Sequence, residues 1–323
     1  MSEYFHATTN RLTTEAVHEG HIDFTDSVPT LEKDAVIDDR YVIQERLGMG
    51  TQATVYRASD TMLEEEVALK IMKISGDEAL DRAVREAAVT EALGRSAGVV
   101  AFKGAGISSE SGHDVPYIAL ELCEAGNLRK VWRDTPEGPM AIEGVKKALL
   151  PALRGLDTVH QAGLTHRDVK PENILLADTG EGKLSDFGIV RGEADAVEEL
   201  QYYDLPLEVV AAPLTATDRG NFTMNYAPPE VLIQGALFTP EGDVYSASLV
   251  ACEALTGAHP WRHIMVPGIQ YADGIMRYQP EIRQPQNGNI PREVLDFLGG
   301  KGLASNPKDR ATTPELIECL ESL

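Results

Sequence analysis

Two short runs in the second half of the chain carry the side chains best suited to chemistry. The first, HRDVKPEN, covers residues 166–173, and the second, DFG, covers residues 186–188. Phosphoryl transfer from ATP needs a carboxylate that accepts the nucleophile's proton, and oxygen ligands that hold metal ions on the phosphates. Asp168 fits the first role, while Asn173 and Asp186 fit the second. The two runs therefore predict a phosphoryl-transfer site.

A lysine and a glutamate nearer the N-terminus extend this prediction. Lys70 follows three apolar residues, Val67, Ala68 and Leu69. A lysine that ends an apolar run is most often a surface residue whose ammonium group reaches water. Glu86 lies on the next predicted helix, residues 77–94, and it could pair with Lys70. We therefore expect Lys70 to pair inside the fold with a glutamate of this helix, either Glu86 or Glu91.

Taken together, these stretches resemble the catalytic loop, the metal-binding loop and the VAIK strand of eukaryotic-type (Hanks-type) protein kinases, bacterial members included. The resemblance covers about residues 38–323. Lys170, two residues after Asp168, is typical of the serine/threonine members of the family. The resemblance implies ATP as the phosphoryl donor, Mg²⁺ as the metal with Mn²⁺ as an alternative, and proteins as substrates.

The resemblance also implies a role for each candidate residue. Asp168 would orient the substrate hydroxyl and accept its proton, and Lys170 would stabilise the transferred phosphoryl group. Only the resemblance selects Glu86 over Glu91 as the partner of Lys70, which would bind the α- and β-phosphates of ATP. The implied catalytic residues are Asp168, Lys170, Lys70 and Glu86, and the implied metal ligands are Asn173 and Asp186.

The glycine-rich stretch GMGTQA at residues 48–53 allows two interpretations. A dinucleotide-binding fingerprint permits GxGxxA, but it requires a helix to begin in the glycine loop. Here TVYRA follows at residues 54–58, which is typical of a strand. A glycine loop between two strands instead favours a flap whose backbone covers ATP phosphates. Ala53 stands where the kinase family usually has a third glycine, and we expect it to stiffen this flap without removing its function.

The segment YIALELC at residues 117–123 resembles the hinge of the kinase family. The resemblance implies that Leu120 is the gatekeeper beside adenine, and that the Glu121 carbonyl and the Cys123 amide hydrogen-bond the adenine edge. Asn127 stands where some members have an acid that contacts ribose and a substrate arginine. The implied nucleotide contacts, whose apolar members ordinary core packing would also explain, are Leu47, Gly48, Gly50, Val55, Ala68, Lys70, Glu121, Cys123, Asn127 and Leu175.

Residues after the DFG run resemble the activation segment of the same family. YAPPE at 226–230 is similar to its APE-type end, and the resemblance implies an ion pair between Glu230 and Arg310. Thr223 resembles the threonine that bonds to the catalytic aspartate and lysine in serine/threonine kinases. Asp243 resembles the residue that braces the backbone of the catalytic loop.

Two threonines upstream of Thr223 predict how the site is regulated. Arg167 precedes Asp168, and a buried arginine there requires an anion to neutralise it. Thr215 and Thr217 have a TxT spacing similar to the autophosphorylation sites of bacterial receptor-type kinases of this family. We therefore predict autophosphorylation of these two threonines.

The segment between the DFG run and Thr223 is longer than is usual in the family because of residues 193–212. This insert could form a short amphipathic helix that plugs the substrate groove or docks a partner. The simpler alternative, which the sequence favours, is a tolerated loop insertion.

The composition limits the partners and the compartment. The 29 Lys and Arg against 51 Asp and Glu give a formal net charge of −22, and such a surface repels nucleic acid and anionic lipid. The sequence has no apolar run near the length of about 18 residues that a membrane-spanning helix needs. The N-terminus also lacks the basic and apolar regions of a secretory signal. Cys123, Cys252 and Cys319 are odd in number and far apart, which is typical of reduced thiols. We expect a cytoplasmic protein without a nucleic-acid partner and without a membrane span.

The order of the predicted elements indicates an α+β fold with two lobes. Strands dominate before Gly126 and helices follow, which favours the bilobal protein-kinase fold, with a small antiparallel sheet and one helix, then a larger, mainly helical lobe. In the larger lobe, helices are predicted over residues 143–161, 242–257, 291–303 and 313–323. We place an acidic, threonine-rich arm at residues 1–38 and the kinase domain at 39–323, with the N-lobe at 39–124 and the C-lobe at 125–323. The arm could be a docking tail for a phosphothreonine-binding partner.

Two other functions share parts of this pattern. A pseudokinase scaffold would have the same fold, but Lys70, Asp168 and Asp186 are intact. A small-molecule kinase of the aminoglycoside type would share the Asp…Asn loop and the metal aspartate, but it would lack counterparts of Lys170 and of the APE-like segment. The sequence therefore favours a serine/threonine protein kinase.

Overall fold

The structure is a computed structural model, and it describes most of the chain. It describes residues 30–50, 53–73, 77–108, 115–134, 138–188, 190–192, 223–234, 236, 238–265, 271–285 and 289–323. Thr215, Thr217 and the insert at 193–212 lie outside these residues.

A six-stranded antiparallel sheet and one helix form the smaller lobe, as predicted. Its elements are β1 (Val36–Ile37), β2 (Tyr41–Met49), β3 (Ala53–Asp60), β4 (Glu65–Met72), α1 (Asp77–Leu93), β5 (Phe102–Ser108) and β6 (Val115–Glu121). The order across the sheet is β1–β2–β3–β4–β6–β5. β2 and β3 pair antiparallel on either side of the glycine-rich stretch, with Met49 opposite Thr54. The strand–loop–strand prediction is therefore confirmed, and the dinucleotide-binding alternative is wrong because a strand follows the glycines.

Helix α1 packs small side chains against the inner face of this sheet. Ala83 and Ala87 are buried, and they belong to the same apolar cluster as Ile118 of β6. Alanine has the highest helix propensity and the smallest apolar side chain, so the helix can lie close to the sheet. This close approach brings Glu86, on the same helix, toward β4.

A separate apolar cluster covers the other face of the sheet. Tyr56 and Tyr117 are buried there, together with Ile37 of β1. The Leu31 amide donates to Tyr56 Oη at 3.1 Å, and Tyr117 Oη donates to Asp38 Oδ2 at 2.5 Å. The last residues of the predicted acidic arm therefore pack on the sheet.

The larger lobe is mainly helical. Its helices are α2 (Leu128–Asp134), α3 (Ile142–Gln161), α4 (Pro229–Gln234), α5 (Pro240–Thr256), α6 (Tyr271–Arg277), α7 (Arg292–Phe297) and α8 (Thr313–Glu321). Its short strands are β7 (Gly126–Asn127), β8 (Leu164–Thr165), β9 (Ile174–Leu176), β10 (Gly182–Leu184) and β11 (Arg191–Gly192). They form two small sheets, with the orders β10–β9–β7 and β11–β8. Within the described ranges, no helix is both long and apolar enough to cross a membrane.

One predicted helix ends earlier than the sequence indicated. The helix expected over 291–303 stops at Phe297, and Leu298–Gly302 continues as a π-helical turn. This turn contains glycines, which disfavour a regular helix. A Cβ on Gly302 would lie 2.5 Å from Ser248 Oγ, so the turn packs against α5 more closely than any other residue would allow.

Two glycines join the lobes where the chain leaves α1. A Cβ on Gly155 of α3 would lie 2.2 Å from the Gly98 carbonyl oxygen, so only glycine allows this backbone contact. The Gly98 carbonyl also accepts the Leu184 amide at 2.8 Å. Leu184 immediately precedes the segment that contains the DFG run. The contact therefore holds helix α3, the end of α1 and the approach to the candidate metal site in one arrangement.

Candidate active site

Asp243, near the start of α5, holds the backbone of the catalytic loop. Its Oδ2 accepts the His166 amide and its Oδ1 accepts the Arg167 amide, both at 2.7 Å. Asp243 is fully buried, so these amides have a charged acceptor away from water. Arg167 adopts φ 72°, a region that residues other than glycine rarely occupy. The predicted bracing role of Asp243 is confirmed.

A histidine that the sequence analysis did not single out supports Asp243. His160 Nε2 lies 2.9 Å from Asp243 Oδ2, and its Nδ1 lies 2.8 Å from Thr313 Oγ1. Because the carboxylate accepts, Nε2 carries an N–H, while Nδ1 lies within hydrogen-bond distance of the threonine hydroxyl. The loop is thus connected to the end of α3 and the beginning of α8.

Three side chains converge on the Asp168 carboxylate. Lys170 Nζ lies 2.5 Å from Oδ2, and Asn173 Nδ2 donates to the same oxygen at 3.0 Å. Thr223 donates to Oδ1 from its hydroxyl at 3.1 Å and from its amide at 3.2 Å. Lys170 also donates to Thr223 Oγ1 at 2.9 Å. The predicted contacts of Thr223 are confirmed, and the carboxylate is held in one orientation.

Asn173 and Asp186 offer oxygen atoms for a metal ion. Asn173 Nδ2 also donates to the Asp168 carbonyl at 2.8 Å, so the amide oxygen Oδ1 is the end left for a cation. The Asp186 side chain is 39% exposed. Within the part of the chain that the structure describes, no group of three or more His, Cys, Asp or Glu could hold a metal by itself. Mg²⁺ is usually bound by one or two carboxylates together with substrate phosphates and water, so this donor set fits it.

Lys70 lies between two carboxylates. Its Nζ is 2.5 Å from Glu86 Oε1 and 3.2 Å from Asp186 Oδ1, so the predicted pair with Glu86 is confirmed. Burial alone would lower the pKa of Lys70, but the charges of Asp186 and Glu86 outweigh it and raise this pKa above its usual value. The charge of Lys70 in turn lowers the pKa of Asp186. Lys70 and Asp186 therefore stay charged at neutral pH.

The DFG run is held by both the catalytic loop and helix α1. His166 Nε2 lies 3.0 Å from the Ser185 carbonyl, and its ring meets the buried Phe187 ring edge-on, with the centroids 5.2 Å apart. The buried Arg85 of α1 donates from Nη1 to the Gly188 carbonyl at 3.2 Å. Sequence reasoning missed Arg85, although its position directly before Glu86 was a usable signal.

Most of the predicted adenine-contact residues lie on neighbouring strands of the smaller lobe, and one lies in the larger lobe. Val55 is opposite Lys70 across β3 and β4, and Ala68 is opposite Leu120 across β4 and β6. Leu175 pairs with Asn127 in the small sheet of the larger lobe. The roles of these residues in nucleotide binding stay predictions.

Hinge residues also have structural partners. The Glu121 carboxylate lies 2.7 Å from Lys183 Nζ and accepts the Ala101 amide at 3.1 Å. Cys123 is buried, and burial raises the pKa of its thiol to about 12, so the thiolate form is disfavoured at neutral pH. Asn127 Oδ1 accepts the Lys130 amide at 2.9 Å and so caps α2.

The glycine flap leaves open space at the predicted phosphate contacts. A Cβ on Gly48 would meet nothing within 4 Å, and one on Gly50 would lie 3.6 Å from the Ala53 carbonyl oxygen. Leu47 is 45% exposed. Packing within the protein therefore does not require these glycines, which is expected where a backbone approaches a ligand.

The activation segment ends in a buried ion pair. Arg310 Nη1 lies 2.8 Å from Glu230 Oε1, and Nη2 lies 3.0 Å from Oε2. The Arg310 side chain is fully buried. The pair predicted between these residues is confirmed, and it fastens α4 to the chain that precedes α8.

Comparison with known proteins indicates the family of this chain. Residues 41–319 match the family model described as protein kinase domain. The chain is 38% identical over 281 residues to the serine/threonine-protein kinase PknL of Mycobacterium tuberculosis, covering 85% of this chain and 63% of that protein. It is 31% identical over 282 residues to the serine/threonine-protein kinase PknB of the same organism, covering 86% of this chain and 41% of that protein.

A third relative is the probable serine/threonine-protein kinase PknB of Corynebacterium glutamicum. It is 33% identical over 231 residues, covering 70% of this chain and 33% of the relative. The chain thus spans less than two thirds of the length of these curated relatives. Because the family model covers most of the chain, the chain belongs to the protein kinase domain family.

Proposed function

We propose that the chain is an ATP- and Mg²⁺-dependent kinase that phosphorylates serine and threonine hydroxyls of proteins. The arrangement around Asp168 carries the proposal. A hydroxyl placed at Asp168 loses its proton to this carboxylate, and Lys170, 2.5 Å away, puts positive charge beside the transferred group. Thr223 connects both residues to the activation segment, which a protein substrate would contact.

The residues of the smaller lobe would bind and orient ATP. Lys70, held by Glu86, donates to the phosphates, while the flap at Gly48 and Gly50 covers them. Bound Mg²⁺, held by Asn173 and Asp186, would neutralise charge on the phosphate oxygens. We also propose that the residues predicted from the hinge resemblance contact the adenine and ribose of ATP.

A transfer assay with radiolabelled ATP tests the function. The wild type should label itself or a generic basic protein, and Asp168→Asn should lower the rate by about 100-fold or more, since a general base contributes that much. Asp296→Asn is the matched control because Asp296 is 69% exposed and far in sequence from the catalytic loop. A wild type that binds ATP without transfer would support the pseudokinase scaffold instead. Labelling of aminoglycosides or sugars alone would support a small-molecule kinase.

We also propose regulation by autophosphorylation of Thr215 and Thr217, which lie outside the described residues. Mass-spectrometric mapping of phosphosites checks this, together with activity of the Thr215→Ala/Thr217→Ala double variant, which we expect to be lower. Phosphate on the arm, residues 1–38, would support a phosphothreonine-binding partner. Deletion of residues 193–212 should raise basal activity if the insert is inhibitory.

We further propose a cytoplasmic location for this kinase. All three cysteines are unpaired thiols, which is typical of a reducing compartment. Fractionation of cells that produce the protein tests the location.

A further inference from the structure

An ion cluster beside the catalytic loop has an arginine at its centre. Arg129 of α2 donates from Nε to Glu172 Oε1 at 3.0 Å and from Nη1 to Glu253 Oε1 at 2.8 Å. Its Nη2 donates to Tyr226 Oη, and this hydroxyl donates to Glu253 Oε2 at 2.5 Å. Two carboxylates and a phenol, from three separate elements, therefore converge on one guanidinium group.

This cluster lies within reach of a peptide whose acceptor hydroxyl is placed at Asp168. Glu172 belongs to the catalytic loop, four residues after Asp168, and Tyr226 follows Thr223 by three residues. Consecutive Cα atoms are about 3.8 Å apart, so the backbone of Glu172 lies within about 15 Å of Asp168. An extended peptide advances about 3.3–3.6 Å per residue, so side chains about two to four positions from the acceptor hydroxyl can reach the cluster.

The cluster is open to solvent and retains negative charge. The side chains of Arg129 and Glu172 are 25% and 42% exposed. One guanidinium faces two carboxylates, which leaves one negative charge in excess. The buried oxygen Glu172 Oε2 accepts no hydrogen bond from the described residues. Without Arg129, the two carboxylates would be free to bind another cation.

We propose that Arg129 occupies, from within the chain, a site that would otherwise bind an arginine or lysine side chain of the substrate. The inference rests on the proposed kinase function and concerns its specificity. The planar guanidinium fork binds Glu172 Oε1 and Glu253 Oε1 at once, so a cationic side chain of a substrate would have to displace Arg129 from both carboxylates. The kinase therefore gains no advantage from a basic residue at this position of a protein substrate.

A purely structural role would make a different prediction. The Arg129 guanidinium also lies 5.0 Å from the centroid of the Trp132 ring, which helps to hold α2 in place. If stabilising α2 were its only role, the loss of Arg129 would lower stability and overall rate but leave the ranking of substrates unchanged. The ranking of peptides is thus the informative measurement.

The test compares kcat/KM over a panel of peptides in which arginine replaces, one position at a time, each residue near a fixed acceptor serine. For the wild type, no replacement should raise kcat/KM by more than about twofold, the scale of an exposed ion pair. For Arg129→Ala, arginine at one or two neighbouring positions should raise it by about tenfold or more, because a charge-assisted hydrogen bond has re-formed.

Further variants separate the site from general effects. Adding Glu172→Gln and Glu253→Gln to Arg129→Ala should abolish the gain, since the acceptors lose their charge. Arg154→Ala removes an exposed arginine that pairs with Glu321 at 2.7 Å, and it should leave the peptide ranking unchanged. If Arg129→Ala does not fold, Arg129→Lys replaces it in the test. A single ammonium group cannot form the forked contact, so this variant should show a smaller rise in kcat/KM with arginine-containing peptides.

Two results would overturn the inference. One is an active Arg129→Ala variant whose peptide ranking equals that of the wild type. The other is a wild type that already prefers arginine at the position in question. Absence of phosphoryl transfer by the wild type would refute the proposed function itself, and the inference with it.

Discussion

Asp243→Asn replaces one oxygen of the residue that holds the catalytic loop, and we expect it to lower kcat severely. In the wild type, one oxygen accepts the His166 amide and the other accepts the Arg167 amide, each at 2.7 Å. Whichever way the new amide turns, its NH₂ group faces one of these backbone N–H groups. The variant therefore leaves a buried donor without an acceptor while hardly changing shape.

The expected magnitude follows from these contacts. A hydrogen bond to a charged acceptor contributes about 1.5–3 kcal/mol, and a buried donor without a partner costs about 1–3 kcal/mol. Arg167 at φ 72° adds backbone strain of about 1–3 kcal/mol, which the loop can release by leaving its active arrangement. If the substitution shifts the free-energy difference between the active and the relaxed arrangement of the loop by about 3 kcal/mol, the active arrangement becomes about 100-fold less populated. We therefore expect kcat to fall by about 100-fold.

The assay measures kcat and the KM for ATP on a generic protein substrate, together with Tm. Lys70 and Glu86 keep their contacts, so the KM for ATP should change by less than about threefold. Asp296→Asn, at an exposed position on α7, is the control and should behave like the wild type. If Asp243→Asn kept kcat within about threefold of the wild type, the reasoning that Asp243 preorganises the loop would be refuted.

Two further predictions concern stability. Glu230→Gln leaves the fully buried Arg310 without its charge partner, so the free energy of unfolding in urea should fall by about 3–5 kcal/mol; a loss no larger than that of the exposed-pair control Glu281→Gln would contradict this. Burial lowers the pKa of His259 from 6.5 to about 4, so the unfolded chain takes up its proton first. The stability contributed by neutral His259 is fully present above about pH 6.5 and is lost, up to about 3 kcal/mol, as the pH falls to about 4. His259→Asn should flatten the decline in unfolding free energy between these pH values, and equal slopes for both proteins would refute the assignment.

Much of the candidate catalytic set could be proposed from the sequence because it lies in short, continuous runs. Asp168, Lys170 and Asn173 occur within six residues of one another, and a turn of this length has few ways to place them. The alternation of strand and glycine residues likewise predicted the flap. The helix that ends at Phe297 was predicted too long, because the sequence pattern did not show how closely Gly302 approaches α5.

Contacts between distant residues required a different kind of information. The pairs involving Lys70, Glu230 and Asp243 were predicted only through the family resemblance, since nothing local distinguishes them from other charged residues. The contact between Arg129 and Glu253 was not predicted, because the two residues are 124 positions apart and the family resemblance did not single out either of them.

The sequence alone indicated which side chains form the candidate site, because those of the catalytic loop and of the DFG run lie close together along the chain. Only the tertiary structure decided which carboxylate meets which cation. Each long-range pair depends on how helices and sheets pack, and packing is set by the summed burial of many side chains rather than by the charged residues themselves. Arg129 shows the consequence: its position in the sequence is that of an ordinary helix residue, and its neighbours in space place it beside the catalytic loop.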